Sequence, residues 1–287
     1  VQLAGAEPVF ADIERETYGL DPDAVEQRIT DDTAAILPVH CYGASCRVHD
    51  LAAVANEHGV ALLEDAAEGF GAEADDQLLG TIGDAAALSF CQNKIVPTGE
   101  GGAVVTDDDE IAHRVKLYRS HGRATTDYFD SASSGEYVAL GTNIRMSDMT
   151  AALGCSQLDR VDDLIARRQR AADKYAEEFV TVEGVTPHHA PADGTHVHQL
   201  YTVELAPEIN RAHVIETLKE RDISAKVYWD PPVHRTAYYR EREETPELPV
   251  TDEIAGRVLS VPMYPNLSEG QIERVVAGVE TAIEASS

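Results

Sequence analysis

Only five lysines serve a chain of 287 residues, and one of them stands apart. Lys94 lies between the apolar run 85–91 and the glycine cluster Gly99-Glu100-Gly101-Gly102. Lys116, Lys174, Lys219 and Lys226 sit in polar contexts that read as solvated helix faces or strand ends. An amine partly shielded from water is a usable nucleophile toward carbonyls. Twenty-nine residues upstream, Asp65 ends the run V-A-L-L-E-D. One lysine with one deep carboxylate is the pairing that pyridoxal phosphate chemistry requires. The lysine forms a Schiff base, and the carboxylate keeps the pyridine nitrogen protonated so that the ring acts as an electron sink. An aspartate after a strand is more often a turn or cap residue, so the pair alone does not define the chemistry.

The elements that must hold these residues follow from hydrophobic pattern. Residues 60–63, 85–91 and 103–106 are apolar runs too short for helices and bounded by Gly, Asp or Pro, which predicts buried strands. Glu64 and Asp65 close the first, Ser89 lies near the end of the second, and Lys94 follows in the connecting loop. Acids and a lysine at strand ends suit an α/β site. Upstream, the pattern predicts a strand at 9–13, a helix opened by Asp21-Pro22 and running to Ile29, and a buried strand at 34–40. It then predicts a helix capped by Asp50 and stopped by Gly59. His40 closes its strand as Asp65 does; such a histidine is usually a packing residue, and it is carried as a candidate substrate contact. Downstream come an amphipathic helix after Thr106 and a polar stretch, 123–136, that suits a mobile loop at a site mouth. Ser147 then caps one long helix to Tyr175. From about residue 181 short strands (198–205, 223–228) alternate with helices (211–221, 251–259, 268–283). The fold class expected is therefore α/β: a mostly parallel central sheet with helices on both faces in residues 1–180, followed by a smaller α+β domain in 181–287.

The motifs E-D-A-A-E-G-F-G-A, G-T-I-G-D, S-F-C-Q-N-K and G-E-G-G-A-V-V-T, in this order, resemble the DegT/StrS family of pyridoxal phosphate-dependent sugar aminotransferases. The resemblance implies the aspartate aminotransferase-like fold, with Lys94 as the Schiff-base lysine and Asp65 as the pyridinium partner. It further implies Ser89 on the cofactor phosphate and a cofactor contact at residue 68, where many members have Gln and this chain has Glu68. The D-A-A-E string and the Asn93-Lys94 pair are similar to the perosamine synthase branch. The string N-I-R-M-S-D-M-T-A-A-L-G-C-S-Q-L also looks like the family's; there the asparagine matching Asn143 crosses a dimer interface to the neighbour's phosphate. By itself Asn143 reads as an ordinary loop residue. Tyr228-Trp229-Asp230-Pro231-Pro232-Val233-His234 resembles the family's Y-x-P-x-H segment, which implies Tyr228 and His234 as substrate contacts. The resemblance begins in mid-domain: the family's S-G-T-x-A-L type phosphate loop and its ring-stacking aromatic have no counterpart here, so the chain is expected to be a truncated version of a longer protein.

Composition bounds the rest. Twenty-three basic residues against fifty-one acidic ones give a net charge of −28, which disfavours nucleic acid and is a lever of salt-adapted proteins. No apolar run reaches the length of a membrane span and no secretory leader opens the chain, so a cytoplasmic protein is expected. Cys41, Cys46, Cys91 and Cys155 lack zinc-type spacing and read as free thiols. The function expected is transamination of a nucleotide-linked keto-sugar, of the 4-keto-6-deoxy type, with glutamate as amino donor, by a homodimer with shared sites. A carbon–oxygen-cleaving branch carrying His in place of the lysine is disfavoured by Lys94. The competing reading is a non-catalytic relative that keeps the fold. A dinucleotide oxidoreductase fails because no G-x-G-x-x-G opens a strand–helix turn.

Overall fold

The computed structural model describes residues 1–124, 135–241 and 246–285. Most of the loop expected at 123–136 lies outside the described residues. The first unit is built on a four-stranded sheet of order β1-β2-β5-β6, formed by Ala35–Ile36, Ala61–Asp65, Ala85–Ser89 and Gly102–Val105. β1 and β2, and β2 and β5, run parallel; β6 returns antiparallel to β5. Between β2 and β5 a small antiparallel hairpin forms from β3 (Glu73–Ala74) and β4 (Gln77–Leu78). Alternation along the strands separates the two faces of the sheet. Ile36, Leu62, Glu64 and Ala86 are buried on one, where Leu51 and Ala55 of α2 (Val48–His58) join the same core. On the other, Ala87 and Val104 pair with each other and are exposed, and Asp65 is half-buried beside Ala87.

The second unit is an antiparallel sheet, β7-β8-β9 (Val185–Pro187, Tyr201–Leu205, Val258–Val261), backed by helices. Its core joins Tyr175 and Phe179 of α5 (Val161–Phe179) to Val214 and Leu218 of α6 (Arg211–Glu220) and to Ile272 and Val279 of α9 (Glu269–Glu284). Gln271 Oε1 accepts from Ser268 N at 3.0 Å, closing the start of α9.

Several expectations are corrected. Residues 9–13 form no strand; Ile13 alone bridges Leu20. The carboxylate of Asp12 instead accepts from Val250 N and Thr251 N at 3.0 and 2.9 Å, at the start of α8 (Pro249–Arg257), tying the N-terminal stretch to the second unit. Burial alone would raise the Asp12 pKa, but these bonds with the Thr251 hydroxyl hold it below its usual value. Asp50 caps nothing: Arg47 occupies the N-cap of α2, and Asp50 in the first turn pairs with it at 2.8 Å. The single helix expected from Ser147 is two, α4 (Asp148–Leu158) and α5, broken at Asp159-Arg160. Ser147 does cap the first, accepting from Thr150 N. Residues 258–261 form β9, paired with β8, where 258 and 259 were expected to end a helix, and of the strand expected at 223–228 only Lys226 pairs, with Ser260.

Candidate active site

The residues expected to do chemistry gather where β2 and β5 end. Asp65 is the last residue of β2 and pairs with Ala87 of β5. Ser89 is two residues further along β5, roughly 7 Å at the rise of a strand, and faces the same side. The small side chain of Ala87 between them leaves a flat, open floor with a carboxylate at one end and a hydroxyl at the other. Asp65 Oδ1 accepts from Ala67 N at 3.1 Å, and Oδ2 has no protein partner among the described residues. Ser89 Oγ accepts from Cys91 N at 3.3 Å.

Lys94 is held in the excursion between β5 and β6. Lys94 N donates to Cys91 O at 2.9 Å, Thr98 N to Phe90 O at 2.8 Å, and the buried pair Ile95-Val96 anchors the loop in the first core. Gly101 closes it with φ +152°, where a Cβ would meet Met146 Cε at 2.7 Å. The Lys94 side chain is 14% exposed, and its Nζ lies 3.0 Å from Glu68 Oε1, whose own side chain is 7% exposed. The other carboxylate oxygen accepts from Tyr42 N at 2.9 Å. Tyr42 turns that N–H inward by adopting φ 61°, in the left-handed region, beside Gly43 at φ +100°.

Behind the floor, Glu64 points to the buried face. Its Oε2 sits 2.9 Å from His40 Nε2 and accepts from Gly80 N at 2.7 Å, while Oε1 accepts from Ile82 N and Gly83 N at 2.8 and 2.7 Å. Burial alone would raise this carboxyl's pKa; the bonds from His40, Gly83 and Gly80 outweigh it and hold it below the usual value.

The structure therefore brings Asp65, Ser89, Glu68 and Lys94 together. It does not bring His40 with them: the ring is fully buried, with Nδ1 accepting from Cys46 N and Nε2 on Glu64. His234 is 2% exposed; its Nε2 lies 3.1 Å from Asp252 Oδ1 without hydrogen-bond alignment. Burial lowers its pKa, partly offset by Asp252. Tyr228 is half-buried, and its carbonyl accepts from the Tyr42 hydroxyl. Asn143 is exposed, its Oδ1 accepting from Arg145 Nε at 3.2 Å. Tyr42 and the exposed Trp229, whose rings stack at 6.2 Å, carry no sequence signal for such a role, since nothing in Cys41-Tyr42-Gly43 but the turn marks Tyr42.

A shelf with an acid, a hydroxyl and a shielded amine fits a flat, phosphorylated pyridine. The open Asp65 Oδ2 is the observation that favours it: a half-buried carboxylate oxygen free to accept a hydrogen bond from a protonated ring nitrogen. Comparison with known proteins agrees. Residues 1–280 match the DegT/DnrJ/EryC1/StrS aminotransferase family. The chain is 34% identical over 292 residues to the spore coat polysaccharide biosynthesis protein SpsC of Bacillus subtilis, covering 98% of this chain and 75% of that one. It is also 34% identical over 286 residues to the GDP-perosamine synthase of Caulobacter vibrioides, covering 99% and 75%. Among solved structures, Helicobacter pylori PseC, an aminotransferase involved in the biosynthesis of pseudoaminic acid, superposes with a TM-score of 0.93 at 29% identity, covering 99% of this chain and 76% of that one. By sequence, fold and site, this chain belongs to the DegT/DnrJ/EryC1/StrS family, as a sugar aminotransferase of polysaccharide and sugar biosynthesis that takes pyridoxal phosphate.

Proposed function

We propose that the protein transfers an amino group from glutamate to the keto carbon of a nucleotide-linked 4-keto-6-deoxy sugar. The observation that carries this reading is the Glu68–Lys94 pair at 3.0 Å beside the Asp65–Ser89 shelf. Its substrate class is supported by the likeness to a GDP-perosamine synthase.

In this reading Asp65 holds the proton on the ring nitrogen and Ser89 Oγ donates to the phosphate. When bound, pyridoxal phosphate supplies an electron sink for the carbon that gains or loses nitrogen. Lys94 would supply the amine that holds the cofactor, and its Nζ would carry a proton to and from the substrate carbon. Glu68 takes and returns that proton while Tyr42 N–H fixes the carboxylate in place. His234 and Tyr228 flank the sugar nucleotide. Residues 1–180 form the cofactor-binding domain and 181–287 the small domain, with Asn143 of a second copy completing the phosphate site in a homodimer. No helix among the described residues is long and apolar enough to cross a membrane; we place the enzyme in the cytoplasm, and the acidic surface in a salt-adapted one.

The test is incubation of the cofactor-loaded protein with ¹⁵N-glutamate and a panel of nucleotide keto-sugars, followed by mass spectrometry. Labelled amino-sugar nucleotide is expected. Loaded protein that labels none of the 4-keto-6-deoxy sugars contradicts the proposal.

A further inference from the structure

The lysine loop is gripped from below by a segment of the second unit. Gln199 is 2% exposed, and its Nε2 donates to Asn93 O, the carbonyl immediately before Lys94. The adjoining backbone holds the other side of the site: Val197 N donates to Gly43 O at 2.9 Å and Leu200 N to Tyr42 O at 3.1 Å. Gly43 is wedged so tightly there that a Cβ would lie 2.9 Å from Gln199 N and 3.1 Å from Glu68 O. These bonds close a circuit. It runs from Gln199 to Asn93 and Lys94, across the ion pair to Glu68, through Tyr42 and back to Leu200.

Arg168 of α5 fixes the circuit from outside. It is 6% exposed, and its Nη1 donates to His198 O at 2.9 Å and to Gln199 O at 3.3 Å. Among the described residues no carboxylate pairs with it, and burial lowers its pKa to about 10. A buried cation spent on two main-chain carbonyls holds one stretch of backbone in one place.

We propose that Gln199 is a positioning residue for Lys94: it fixes the lysine's main chain while Glu68 fixes its amine, so that Nζ is presented at the shelf and not to solvent. The inference rests on the reading of Lys94 as the reacting amine, but its test does not use the cofactor. Gln199→Met keeps length and apolar bulk and removes the donor to Asn93 O. In the cofactor-free 287-residue chain, trinitrobenzenesulfonate labelling of each lysine is followed by peptide mapping. Losing one buried hydrogen bond should raise the exposed population, and hence Lys94 labelling, about fivefold. Lys174, also on α5 and paired with Glu178 at 2.7 Å, serves as control and should not change. If Gln199→Met does not fold, Gln199→Asn, which keeps the amide but falls one methylene short, is read by the same criterion. Unchanged Lys94 labelling in a folded variant overturns the proposal, as does an equal rise at Lys94 and Lys174. Neither result would bear on whether Lys94 reacts with the cofactor.

Discussion

Glu68 and Lys94 form an ion pair of 3.0 Å in which both side chains are nearly shut off from water, and the carboxylate's other oxygen is pinned by Tyr42 N. Removing one member of such a pair leaves the other charged and unpartnered, so each single change should cost more than the double. In a cycle of Glu68→Gln, Lys94→Met and the double variant, urea unfolding should give a coupling of about 2 kcal/mol. Additive effects would show the contact to be energetically idle.

Glu64 contributes an acid-sensitive share of stability. Its folded pKa lies below the ordinary value of 4.5, so its contribution is present above that pH and is lost as pH falls through the folded value. Glu64→Gln removes the charge and turns one of the two acceptor oxygens into a donor, facing either Ile82 N and Gly83 N or Gly80 N and His40 Nε2, and should cost about 2–3 kcal/mol near neutrality. That deficit should shrink below pH 4.5, measured as Tm against pH. A deficit of constant size from pH 7 to pH 3 would contradict the assignment.

A second acid-sensitive element is the buried histidine set beside Thr17 and Tyr18. His188 Nδ1 lies 3.3 Å from His196 Nε2, His188 Nε2 lies 3.1 Å from Thr17 O, and the His196 and His198 rings stack at 3.9 Å. Burial first, and neighbouring histidines second, lower His196 well below 6.5 and His198 to about 3. Burial also lowers His188, to about 4, against a hydrogen bond to Thr17 O that favours the charged ring. An unfolded chain binds these protons first, so folding stability is intact above pH 6.5 and falls below it. Each histidine should add a slope of about 1.4 kcal/mol per pH unit between its unfolded and folded values. His188→Gln should flatten the unfolding free energy from pH 6.5 toward 4 by about one such increment. An unchanged slope would show that His188 titrates alike in both states.

If Asn143 serves a neighbour's site, Lys94→Ala and Asn143→Ala subunits, each inactive alone, should regain activity when mixed under exchange, because one hybrid site is intact. No recovery despite demonstrated exchange would remove Asn143 from the shared site.

How far the sequence carried these conclusions depends on range. Asp65 and Ser89 were legible because each ends a short strand, and strand ends are fixed locally; Lys94 was legible from its place in the loop that follows, before a glycine cluster. Asp12 was not: it reads as part of a strand, and its role as the cap of α8 depends on residues 250 and 251, more than two hundred positions away. Val258 and Leu259 read as the end of a helix because their apolar character continues that of α8; only pairing with β8 makes them part of a strand. His40 failed as a substrate contact for a related reason. Its pattern matches that of Asp65, but the preceding strand turns the ring to the covered face, where Glu64 takes it. Gln199 carries no local signal, since its work is done on the carbonyl of Asn93.

The central claim is that Lys94 is the amine that holds the cofactor. Loading the protein with pyridoxal phosphate, reducing with borohydride and mapping the peptides tests it most directly. The account predicts a pyridoxyl group on Lys94 and on none of the other four lysines. A pyridoxyl group found at Lys116, Lys174, Lys219 or Lys226 with Lys94 unmodified would contradict it.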